Sequence, residues 1–122
     1  MTDRSYIGID STDNKEWVAV VWSDGHAIVS PPFKNTPTEL AALVSFITER
    51  CARPKICLKP SNPSAIKLIK SIGGIPDVEV VLMSNAGLRM HQSWLQGKTA
   101  TAFINNNPCQ AYLLAFCAQR MV

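Results

Sequence analysis

An apolar run that closes on a carboxylate, Tyr6-Ile7-Gly8-Ile9-Asp10, is the first place where this chain could do chemistry. A carboxylate at the end of a buried strand costs several kcal/mol unless a cation or hydrogen-bond donors meet it. Asp13 is the only other acid close by in sequence, and it falls on a turn where a solvated role is expected. Farther along, Arg89, His91 and Lys98 surround a glycine-containing turn, and Lys59, Lys67 and Lys70 add positive charge. Together these six could form a basic face for phosphates, or they could be ordinary solvated surface. His91, between Met90 and Gln92, reads as a surface or core-edge residue rather than a catalytic base. No P-loop or other phosphate-cradling glycine pattern is present.

The elements that must position these residues follow from hydrophobic period and turn chemistry. Residues 4–10 predict a first strand, and Glu16 to Trp22, β-branched and aromatic, a second. Trp17 and Trp22 are read at alternating spacing with Val18 and Val20 between them, packing against helices. Asp24-Gly25 marks a tight hairpin, returning His26 to Ser30 as a third, antiparallel strand that Pro31 and Pro32 should stop. Thr36 as cap, Pro37 at the first helical position and Glu39 as the far side of a capping box predict a helix to about residue 51. Its inner face is Leu40, Leu43, Val44 and Ile47.

Lys55 to Lys59 predicts a short central strand. A helix follows from Pro63 with Ile66, Leu68, Ile69 and Ile72 inward, ended by Gly73-Gly74. Val78 to Met83 is a fifth strand, residues 86–96 read as helical, and Asn107-Pro108 open a last helix to about Arg120. Three meandering strands and then alternating helices and strands make one α/β domain over residues 1–122. Right-handed crossovers give a mixed five-stranded sheet of order 3-2-1-4-5 flanked by helices, the ribonuclease H-like arrangement. Actin-like ATPase subdomains begin the same way, so topology alone leaves the chemistry open.

Composition bounds the rest. The chain has 122 residues, 47% hydrophobic and 17% charged, which excludes a mainly disordered protein. A net charge of +3 is compatible with nucleic acid without demanding it. Four cysteines, Cys51, Cys57, Cys109 and Cys117, stand apart in apolar contexts with no CxxC pair, so reduced core thiols are expected rather than a zinc site. The polar start predicts no secretory leader, and no apolar run approaches the ~20 residues of a membrane span, so the expected location is cytoplasmic.

Several segments in order resemble one family. "YIGID", "PFKNTPTELAALVSFI", "ICLKPSNPSAIKLIKSI" and "VVLMSNAGLRMHQSWLQGKTATAF" together look like the N-terminal domain of the IS110-type DEDD transposases and Piv-like invertases, whose nuclease core is similar to RuvC. The resemblance covers nearly the whole chain. It implies a ribonuclease H-like nuclease that holds two Mg²⁺ ions with four carboxylates. Carried over position by position, Asp10 matches the first catalytic Asp, but Lys59 falls where the family has Glu. After Lys98-Thr99, Ala100 and Phe103 occupy the two final Asp positions.

What the resemblance implies is therefore an enzyme-like domain with its metal site dismantled, with no metal and no other cofactor expected. Asp10 becomes a remnant, and Lys59, on the neighbouring strand, is placed to take over the metal's charge. The plainer alternative is that Asp10 caps its own turn through the Thr12 or Asn14 amides. The expected function is a regulator in a mobile-element or DNA-processing setting that binds nucleic acid, DNA ahead of RNA, through Lys59, Arg89, His91 and Lys98, or binds a protein of that machinery. One alternative is a pure protein-interaction module. The other is a residual nuclease using Asp10, Asp13 and an acid such as Asp77 or Glu79. The last helix is apolar around much of its circumference, and Tyr112 and Phe116, four apart, could anchor a homodimer or protein partner there.

Overall fold

The computed structural model describes residues 5–11, 16–23, 26–51, 53–58 and 65–83, with helical positions 111, 114, 115 and 118. Five strands, β1 (Ser5–Ser11), β2 (Trp17–Ser23), β3 (His26–Val29), β4 (Pro54–Leu58) and β5 (Glu79–Leu82), form one sheet of order β3-β2-β1-β4-β5. Two helices, α1 (Pro37–Arg50) and α2 (Ala65–Ile72), stand between β3 and β4 and between β4 and β5. β1 pairs antiparallel with β2 and parallel with β4, and β5 is parallel to β4. The arrangement is a ribonuclease H-like topology, as the sequence predicts.

Alternation along β1 divides the sheet into two faces. Ile7 and Ile9 join Ala19 and Val21 of β2 and Ile56 and Leu58 of β4 in a core with Leu40, Leu43 and Ile47 of α1 and Leu68 and Ile72 of α2. The other face carries Gly8, Val20 and Cys57, covered by Ala111, Leu114, Ala115 and Ala118. Those four lie at i, i+3, i+4 and i+7, one stripe of a helix, and three of them are alanines that let the backbone come close.

Each end of α1 has a local cause. Thr36 is extended at the N-cap and its Oγ1 accepts from the Glu39 N–H at 3.3 Å, while Pro37 opens the helix. The predicted capping box closes on one side only: the Glu39 carboxylate accepts from the Lys34 N–H at 3.4 Å, two residues before the cap. At the far end Arg50 lies over the Phe46 ring, 4.0 Å from its centroid, and donates to the Phe46 carbonyl.

Three other expectations change. Trp17 and Trp22 are five residues apart, an odd number, so alternation sends them to opposite faces. Trp17 lies in the α1 core with its indole N–H on Asn35 Oδ1 at 3.1 Å, and Trp22 packs on the Gly8 face. Ile66 is 55% exposed rather than inward, because α2 buries the stripe Ala65, Leu68 and Ile72. Pro31 and Pro32 interrupt the sheet without ending it. Val20 pairs with Val29, yet Trp17 pairs with Phe33, so the outer strand holds one extra residue, a bulge that accommodates the prolines.

Ser30 bridges that bulge. Its backbone N–H donates to the Ala19 carbonyl, and its Oγ accepts from the Ala19 N–H at 2.9 Å and donates to the Pro31 carbonyl at 2.8 Å. Ser30→Ala removes the acceptor from a buried amide, which typically costs about 1–3 kcal/mol. The urea midpoint of that variant should fall with an unchanged slope; an unshifted midpoint would mean that water replaces the hydroxyl without loss.

Candidate functional site

Asp10 is the next-to-last residue of β1, half-buried, on the face it shares with Gly8. Its antiparallel partner is Val18 of β2. On the other side the parallel ladder ends with Ile9 beside Leu58. Asp10 thus stands at the C-terminal ends of the central parallel strands, where open α/β sheets place their ligands. Lys59 follows Leu58 directly in the chain and lies outside the described residues.

The same holds for most of the predicted site. Arg89, His91 and Lys98, the substituted positions Ala100 and Phe103, and the interface candidates Tyr112 and Phe116 lie outside the described residues, as do Asp13, Thr12 and Asn14. Lys67 and Lys70 are described and exposed on α2. Among the described residues no three His, Cys, Asp or Glu side chains gather as a metal site would require.

Asp77 and Glu79, the acids that a residual nuclease would need, are not brought to Asp10. Glu79 begins β5 and pairs with Lys55, which pairs with Tyr6, four residues before Asp10. At about 3.3 Å per residue that is roughly 13 Å along the parallel strands. Asp77 lies still earlier, in the turn before β5, with a left-handed φ of 58°. Both acids therefore sit toward the opposite end of the sheet from Asp10.

Lys55 is the residue that sequence reasoning passed over. It reads as the polar margin of a short strand, yet it is 5% exposed, between Tyr6 and Glu79 in the register. Lysine is rarely buried so deeply without a partner, and Glu79 provides opposite charge at the adjacent cross-strand position. Period two was the available signal: Lys55 and Cys57 share one face, and Ile56 and Leu58 share the other.

The two described cysteines are buried thiols. Burial pushes the Cys51 thiol above its ordinary range, and a hydrogen bond with Ser5 and the positive charge of Arg50 pull the other way. Cys51 follows α1 and approaches the start of β1, away from Asp10, while Cys57 is wholly covered in the Gly8-face core. Neither carries the features of an activated nucleophile.

The strand order and pairing make a ribonuclease H-like topology, with Asp10 the next-to-last residue of its first strand. No protein-family model matches the chain, and no curated protein matches it. Among the described residues no helix is long and apolar enough to cross a membrane.

Proposed function

We propose that this is a catalytically inactive, IS110-transposase-like domain that binds DNA and acts as a regulator in a mobile-element or DNA-processing setting. The observation that carries the reading is the parallel ladder, with Ile9 beside Leu58. Lys59 follows Leu58 directly in the sequence, and in this reading its ammonium meets the Asp10 carboxylate. An ammonium beside the carboxylate supplies the charge that a divalent ion would supply in a nuclease. It also leaves too few hard oxygen ligands for Mg²⁺. With the first acid paired and the other three positions occupied by Lys59, Ala100 and Phe103, the site has no means of activating water.

Phosphate binding needs only cations, and Lys59, Arg89, His91 and Lys98 are the residues assigned to it. The test is a salt series of binding to labelled duplex, with single-stranded DNA and RNA in parallel. Log K should fall linearly with log salt, in proportion to the phosphates neutralised. Replacing Arg89 and Lys98 together should weaken binding to all sequences and shallow the slope by roughly one to two. Absence of binding to every nucleic acid at low salt would overturn the reading in favour of a protein-interaction module.

A further inference from the structure

No further inference is drawn: the strongest candidate, the outer edge of β3 where Ile28 and Val29 stand exposed on opposite faces of the sheet, offers an added strand few backbone groups before Pro31 removes an N–H, and nothing in the structure shows what covers it.

Discussion

Gly8→Ala should unseat the last helix and destabilise the domain by on the order of 3 kcal/mol, or roughly 10 °C in Tm for a chain of this size. A Cβ on Gly8 would collide with the backbone of Ala111 and Ala115 and lie 2.8 Å from Leu114 Cβ. None of these atoms belongs to the far end of a flexible side chain, so the helix must move away from the sheet as a body. That movement loosens the contacts of Val20, Cys57 and Met83 with Ala111, Leu114, Ala115 and Ala118. Truncating Leu114 to alanine in the Gly8→Ala background should give no rescue, because the colliding atoms remain. A Gly8→Ala melt within about a degree of wild type would show that the helix does not ride on β1.

The second large effect concerns the proposed pairing of Asp10 with Lys59. If the two side chains meet as proposed, Lys59→Met should cost about 1–3 kcal/mol, less than for a fully buried pair because Asp10 is only half-buried. Asp10→Asn alone should cost less, and the double variant should recover part of the Lys59→Met loss. The interaction energy from the four-way cycle should be at least about 1 kcal/mol. Strict additivity would mean that the two side chains do not meet.

Much of the architecture is legible in the residues because several local signals agree. The Asp-Gly pair separates two strands whose register, Ser23 with His26, leaves just those two residues between them. Thr36-Pro37 starts α1 where capping chemistry says it should. Right-handed crossovers then give the observed strand order. The misses come where tertiary context decides. Nothing local says that β2 continues pairing beyond Pro32, because the partner that makes the bulge, Trp17 with Phe33, is distant in sequence. Ile66 looks inward by composition, but α2 turns Ala65 to the core instead.

The sequence predicts that Asp10 closes the first strand, and Asp10 is the next-to-last residue of β1, opposite Val18. The glycine two residues before Asp10 reads as a neutral member of an apolar strand. Its purpose becomes visible only when the helix backbone is seen against it. Lys55 was missed for a related reason. A lysine at a strand end is usually solvated, whereas Lys55 is buried on a strand flanked by β1 and β5.

Whether the domain holds DNA without cutting it can be read from one incubation: labelled duplex, junction and single-stranded DNA with the full chain and Mn²⁺, followed by separation of complexes and products. The expected result is retarded DNA of unchanged length, with Asp10→Asn giving the same result as wild type. Cleavage by the wild-type chain that disappears in Asp10→Asn would contradict it, because Asp10 would then be a working metal ligand.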